Sequence, residues 1–217
     1  MKTYILSGGK SSRMGTDKGL VQLHQKPLIS YLIETLQKLN FDIKIIAHHS
    51  DSHKLNLEVI KVIYPEKGPL GGVFTALNDA QTDCLIISVD TPFITEKQIT
   101  HLLENHQKCE LTLAFSEAKI YPLFGIYPFH LFEKLKENIL QNQLKLMKFV
   151  DENSPKKIEF NFSYLEKQNI NTFEELKKAE KEIIAKSEPK LLLWTVWASI
   201  AGLFTIIVLL FYIKKKF

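Results

Sequence analysis

Four glycines (Gly8, Gly9, Gly15, Gly19) and three cations (Lys10, Arg13, Lys18) crowd into residues 8–19, directly after a short apolar run. Glycine lets a backbone come close to a ligand and turn its N–H groups toward an anion, while Arg and Lys add full positive charge. A polyphosphate is the natural guest of such a loop. Farther along, Asp90 ends the apolar run CLIISV, so a carboxylate emerges where a strand stops. An oxygen ligand there suits Mg²⁺; the alternative is a cap on the Thr91-Pro92 turn. Nucleotidyl transfer asks for little more than this, because positioning, cations and a metal ion can do most of the work.

The stretch GGKSS is not a P-loop. A Walker A pattern ending at Gly9-Lys10-Ser11 would need a glycine at Tyr4. A dinucleotide fingerprint starting at Gly8 fails as well, because Lys10 and Arg13 stand where glycines belong. What remains is a long glycine-rich loop in which Arg13 and Lys18 supply full positive charges.

The elements that must hold these groups alternate along the chain. Thr3 to Ser7, Ile43 to Ala47, Val59 to Ile63 and Cys84 to Val89 read as strands, with helices over Pro27 to Leu39, about Gly71 to Ala80 and about Thr95 to His106. No helix is expected between the glycine loop and Pro27. Strands near Leu111 to Phe115 and Pro122 to Tyr127 follow, then helices over Pro128 to Gln141 and Leu144 to Val150, and a last one from Phe173 to Lys186 capped by Asn171 or Thr172. Continuous apolar strands fit a sheet covered on both faces. The expected fold is α/β, a three-layer α/β/α sandwich with a mostly parallel sheet, which places the loop and Asp90 at the edge where such sheets bind ligands.

With the residues in place, a resemblance is clear. Residues 6–18, L-S-G-G-K-S-S-R-M-G-T-D-K, resemble the L-x-G-G-x-S-x-R-M-G-x-D-K signature of the MobA-type molybdenum cofactor guanylyltransferases. Lys26-Pro27-Leu28, Gly68-Pro69-Leu70-Gly71-Gly72, Asp90-Thr91-Pro92-Phe93, Tyr121 to Tyr127 and Asn169-Ile170-Asn171-Thr172 resemble later family patterns in the same order, and the likeness covers about residues 1–185.

The resemblance implies a Rossmann-like nucleotidyltransferase of the GT-A type that moves GMP from GTP to molybdopterin bearing molybdenum, with Mg²⁺. Arg13, Lys18 and Asp90 become the catalytic groups, with Asp90 on the metal. Leu6, Gly8, Gly9, Gly15, Lys18, Gly68, Pro69 and Leu70 hold the nucleotide, and Asn169 and Asn171 contact the pterin-phosphate partner. Two departures leave the base open. Tyr64-Pro65-Glu66 stands where the family often has an Asp that helps read guanine, and Ala47-His48-His49 where an Asn is common. CTP, or a sugar or alditol phosphate acceptor, is the alternative chemistry; a catalytically idle membrane-anchored scaffold delivering cofactor is the alternative of another class.

The bulk composition bounds the rest. Residues 1–152 hold 17 Lys/Arg and 17 Asp/Glu, and residues 153–217 hold 11 Lys and 7 Glu, so the whole net charge of +4 lies in the last part of the 217-residue chain. No basic patch interleaved with aromatics calls for nucleic acid. Cys84 and Cys109 make no disulfide framework and fit a reducing cytoplasm. His48, His49 and His53 read as a polar loop rather than a metal site.

Residues 191–213 carry no charge over 23 positions, which as a helix spans roughly 35 Å, enough to cross a bilayer. Trp194, Trp197 and Tyr212 suit interfacial belts, and Lys214 to Lys216 stop the run. The expected organisation is a nucleotidyltransferase domain over 1–186, a linker over 187–190, a transmembrane helix over 191–213 and a basic tail over 214–217. Met1 leads directly into a strand, so no export signal is expected. The domain then sits in the cytoplasm, anchored to the cytoplasmic membrane, with molybdoenzymes or their chaperones as further partners.

Overall fold

The element order is β1 (Lys2–Ser7), β2 (Gln22–Leu23), β3 (Lys26–Pro27), α1 (Leu28–Lys38), β4 (Asp42–Ala47), β5 (Glu58–Lys61), α2 (Gly68–Ala80), β6 (Cys84–Ser88), α3 (Glu96–Glu104), β7 (Thr112–Ser116), β8 (Lys119–Tyr127), α4 (Phe132–Leu140), α5 (Leu146–Asp151) and β9 (Lys156–Glu159). This computed structural model describes residues 1–7, 18–48, 56–167 and 169–185. Gly8, Gly9, Lys10, Arg13, Gly15, His49, His53 and the apolar stretch 191–213 lie outside the described residues. The chain divides into two units, residues 1–176 and 177–217; in the second, residues 177–185 are helical.

The first unit is built on a seven-stranded sheet of order β5-β4-β1-β6-β8-β7-β9. The pairs β1–β4, β1–β6, β4–β5 and β7–β9 run parallel, whereas β6–β8 and β7–β8 run antiparallel. The mostly parallel α/β sandwich is thus as expected. Its apolar strands feed two cores. Tyr4, Leu6, Ile46 and Ile86 point to the face covered by Leu70, Val73 and Leu77 of α2, Leu135 of α4 and Phe149 of α5. Ile5, Ile45, Leu85 and Ile87, one position out of phase, point to the face covered by Leu32 and Leu36 of α1 and by Ile99 and Leu102 of α3. Each such fully buried Leu or Ile contributes roughly 1.5–3 kcal/mol relative to exposure.

At the start of β1 a polar network fixes α2 against the sheet. The Tyr4 hydroxyl donates to Asp79 Oδ2 at 2.5 Å and Lys44 Nζ to Asp79 Oδ1 at 3.2 Å. Burial pushes the Asp79 carboxyl up, but these two donors and the nearby charges of Lys44 and Lys2 pull it further down, to a net value below the ordinary one.

Several elements differ from the sequence expectation. A 3₁₀ turn (Lys18–Leu20) and the small β2–β3 hairpin, which takes in Pro27, stand where a long loop was expected, and α1 begins at Leu28. The hairpin tip places His24 and Gln25 at φ 49° and 64° with no glycine, so its usual sequence signal is missing. The expected strand Val59 to Ile63 ends at Lys61, and α2 begins at Gly68 rather than Gly71 because Pro69 fits a first helical turn. Strand β9 was not expected at all: KKIE carries one buried apolar residue, Ile158, and its charges suit a sheet edge. Helix α3 starts at a capping box formed by Thr95 and Gln98. Among the described residues no helix is long and apolar enough to cross a membrane.

Candidate active site

Strands β1 and β6 lie side by side, with Leu6 opposite Ser88 and the Val89 N–H donating to the Leu6 carbonyl at 3.1 Å. Both chains therefore leave the sheet at the same edge, β1 toward residues 8–17 and β6 into Asp90. The five residues of β6 are all buried, and its parallel partner holds it to the last position. Asp90 is the first charged group beyond that apolar rod, with its side chain 24% exposed. Thr91 closes the turn that follows: its N–H and its hydroxyl both donate to the Ser88 carbonyl, at 3.2 and 3.1 Å. The turn and the α3 cap are thus supplied by Thr91 and Thr95, which leaves the Asp90 carboxylate for a ligand.

Lys18 comes back to the same edge at the start of the 3₁₀ turn. Its Nζ donates to Asn171 Oδ1 at 2.7 Å and lies 3.9 Å from Asp90 Oδ2. Burial lowers the Lys18 amine below the ordinary lysine value, while the carboxylates of Asp90 and Glu175 work in the opposite direction. Its hydrogen-bonded partner here is a neutral amide, so a cation with three donors keeps capacity for an anionic ligand.

The segment carrying Asn169 and Asn171 is pinned onto this edge by its backbone. The Ile170 N–H donates to the Asp90 carbonyl at 2.9 Å, and the Ile170 side chain is fully buried. Of the two caps considered for the last helix, Thr172 is the one used. Its hydroxyl accepts from Glu175 N–H at 3.2 Å, while Glu175 Oε2 accepts from the N–H groups of Thr172 and Asn171, at 2.9 and 2.6 Å. This is a capping box, and it frees the Asn171 side chain for Lys18. Asn169 turns elsewhere: its Oδ1 is buried with no hydrogen-bond partner among the described residues. It lines a cavity of about 130 Å³ together with Asp90, Thr91, Tyr121, Phe162 and Glu166.

The Gly68 to Gly72 segment divides into two roles. Gly68 takes φ 58° and ψ −147°, a conformation open to glycine, and a Cβ there would meet nothing within 4 Å. Gly68 and Pro69 are exposed at the first turn of α2, where helix N–H groups lack intrahelical partners. Leu70 is fully buried in the core, so only its backbone can face a ligand. Gly71 and Gly72 serve packing rather than a ligand. A Cβ on Gly71 would run into the Tyr64 carbonyl, and one on Gly72 would sit 3.1 Å from Leu6 Cδ1. Leu6, expected beside the nucleotide, is itself buried in the core, with 5% exposed.

The structure thus brings Lys18, Asp90, Asn169 and Asn171 to one edge. Among the described residues no group of three or more His, Cys, Asp or Glu forms a metal site. Sequence reasoning missed Glu175, which organises the Asn171 backbone, although Thr172 followed three residues later by Glu175 is a legible capping box. It also missed Glu166, which lies in an irregular stretch with no periodicity to mark it.

The MobA-like NTP transferase domain matches residues 3–156. The chain is 38% identical over 149 residues to the probable molybdenum cofactor guanylyltransferase of Flavobacterium johnsoniae, covering 68% of this chain and 78% of that one. It is 31% identical over 185 residues to the molybdenum cofactor guanylyltransferase of Haemophilus influenzae, covering 82% and 96%. The crystal structure of molybdopterin-guanine dinucleotide biosynthesis protein A from Archaeoglobus fulgidus shares the fold, with a TM-score of 0.71 at 24% identity over 86% of this chain and all of that one. With its glycine-loop sequence, its sheet order and its Lys18–Asp90 edge, the chain belongs to the MobA-like NTP transferase family.

Proposed function

We infer that this chain transfers GMP from GTP to molybdopterin bearing molybdenum, forming molybdopterin guanine dinucleotide and releasing diphosphate. The names of the relatives supply the substrates. The observation that carries the chemistry is the meeting of Lys18, Asp90 and Asn171 at one sheet edge. In the reaction a phosphate oxygen of the acceptor forms a bond to the α-phosphorus of GTP, and the bond from that phosphorus to the bridging oxygen of the β-phosphate breaks. The leaving diphosphate gains negative charge as this happens, and the anionic acceptor oxygen has to approach an already anionic centre.

Lys18 supplies a fixed positive charge at this edge, held by Asn171 so that little reorganisation is needed. Arg13 and the amides of Gly8, Gly9 and Gly15 are proposed to grip the triphosphate, on the resemblance of residues 6–18. The first-turn amides of α2 beside Gly68 and Pro69 are proposed to approach the nucleotide. Asp90 fits Mg²⁺: it is a partly exposed oxygen donor, and this ion commonly takes one or two carboxylates together with substrate phosphates and waters. When bound there, Mg²⁺ would neutralise charge on the substrate phosphates.

The test is a matrix of purified chain and Mg²⁺ with each nucleoside triphosphate against molybdopterin, a sugar phosphate or an alditol phosphate as acceptor, read as diphosphate release and dinucleotide product. Release with GTP is expected. Release with CTP but not GTP sinks the guanylyl assignment, and release only with a sugar or alditol phosphate sinks the acceptor.

The stretch 191–213 is proposed to anchor this enzyme at the cytoplasmic membrane, supported by its 23 uncharged positions and the three lysines that end it. Such an anchor would hold dinucleotide production close to membrane-bound molybdoenzymes. The full chain should then sediment with membranes and resist alkaline carbonate extraction; recovery in the soluble fraction rejects the anchor.

A further inference from the structure

Thr75 stands between the core residues Phe74 and Ala76 in α2 and is 1% exposed. A hydroxyl in such a place costs free energy unless its bonds are made inside the protein. Here they are made on both sides. The hydroxyl donates to the Gly71 carbonyl, one turn back, at 2.7 Å, and accepts from the Ile63 N–H at 3.0 Å. The first bond is the local one that threonine commonly makes within a helix. The second leaves the helix and reaches the chain just past β5.

That reach fastens a turn at both ends. Before the turn, the Val62 N–H still follows the sheet, donating to the Ala47 carbonyl at 3.1 Å. Ile63 comes next and is 44% exposed, so the bond from its N–H does more to fix it than packing does. The chain then runs through the 3₁₀ turn Pro65–Lys67 into α2, with Pro65, Glu66, Gly68 and Pro69 exposed. Lys67 at the cap position sends its amine to Asn142 Oδ1 at 3.0 Å, and the first N–H groups of α2 receive no side-chain cap. After the turn, Gly71 packs against the Tyr64 carbonyl and Gly72 against Leu6 of β1. One buried oxygen therefore ties residue 63 to residue 71, and the uncapped amides lie between them in the chain.

We propose that Thr75 is a positioning residue for the nucleotide: its hydroxyl holds the exit of β5 and the first turn of α2 in the arrangement that presents the Gly68 and Leu70 amides to the ligand. This rests on the reading that the first turn of α2 approaches the nucleotide. Thr75 is too deeply buried to touch the ligand and acts through the backbone of residues 63 and 71. Without the hydroxyl, the turn has to be ordered when the nucleotide binds, and that cost lowers affinity.

Two substitutions separate positioning from packing. Thr75→Val removes the hydroxyl at nearly the same size, and Thr75→Ser keeps the hydroxyl but removes a buried methyl. Titrating the full chain with GTP and Mg²⁺, without acceptor, should show Thr75→Val binding roughly tenfold or more weakly. Thr75→Ser should bind like wild type although its melting temperature falls. In turnover, KM for GTP should rise in Thr75→Val while kcat at saturating GTP and KM for the acceptor stay unchanged. Thr75→Ala, which leaves room for a water at the Ile63 N–H, serves if Thr75→Val does not fold, and the same loss is expected. Affinity that simply follows melting temperature across the variants overturns the proposal. Hydrogen exchange checks the reading beneath it, because bound GTP should slow exchange at residues 64–70 of the wild type. Normal GTP affinity in a folded variant without the hydroxyl, with that protection intact, removes Thr75 alone. GTP binding that leaves those amides unprotected removes the reading as well.

Discussion

Lys18 Nζ lies 2.7 Å from Asn171 Oδ1, although the two residues are 153 positions apart in the chain. The bond aims a lysine that burial already disfavours in its charged form at the same edge as Asp90.

Lys18→Met should remove a preorganised charge and lower kcat by roughly 100- to 1,000-fold, the usual size for one such donor. The linkage has the opposite sign for stability. A lysine whose value is lowered on folding binds its proton more weakly in the folded state, so its burial penalty is fully present below the folded value, fades as pH rises from there, and is gone above the ordinary lysine value. Urea unfolding at neutral pH should therefore show Lys18→Met no less stable than wild type. A large loss there contradicts this account.

Asp90→Asn should abolish Mg²⁺-dependent transfer while leaving the fold intact, because the Ile170 N–H is taken by the Asp90 backbone carbonyl and not by its carboxylate. Circular dichroism and diphosphate release check the two halves. Transfer at the wild-type rate removes Asp90 from the chemistry.

Thr172→Ala and Asn171→Ala should separate capping from positioning. Losing the Thr172 hydroxyl that receives Glu175 N–H should cost about 1 kcal/mol of stability. Losing the Asn171 amide should leave the melting temperature nearly unchanged and slow transfer, since that side chain holds Lys18. The reverse pattern makes Asn171 the cap after all.

Gly71→Ala should destabilise by roughly 1–3 kcal/mol, because its Cβ meets a backbone carbonyl, that of Tyr64, which cannot rotate away. Thermal unfolding measures it; an unchanged midpoint means the α2 entry is more pliant than its geometry suggests.

Acid should unfold the chain partly through Asp79. Its carboxyl is depressed by Tyr4 and Lys44, so the stability it brings is present above the unfolded carboxylate value and is lost as pH falls through the lower folded one. Asp79→Asn should be less stable at neutral pH and show a shallower acid transition by fluorescence. Parallel acid profiles count against this role.

The central sheet was legible because β1, β4 and β6 each carry a continuous apolar run (Tyr4 to Leu6, Ile45 to Ala47 and Cys84 to Ile87) that needs cover on both faces. Asp90 was legible for the same reason, as the first charge after such a run. Strand β9 was not, since KKIE gains its strand character only from β7 beside it. The β2–β3 hairpin was hidden because His24 and Gln25 take a backbone shape that glycine or asparagine usually announces. Asn171 had two equal readings in sequence, and only the hydroxyl of Thr172, placed on Glu175, separates them.

The bond from Ile170 to the Asp90 carbonyl has a consequence for synthesis. Lys18 and Asp90 leave the ribosome early, but the segment that completes their surroundings is made near the end of the first unit. A chain interrupted before residue 169 lacks the Ile170 bond to Asp90 and the Asn171 bond to Lys18, so on the proposed mechanism it should transfer no nucleotide. The last contacts of the edge are then made by residues 170 and 171, well after both Lys18 and Asp90 have been made.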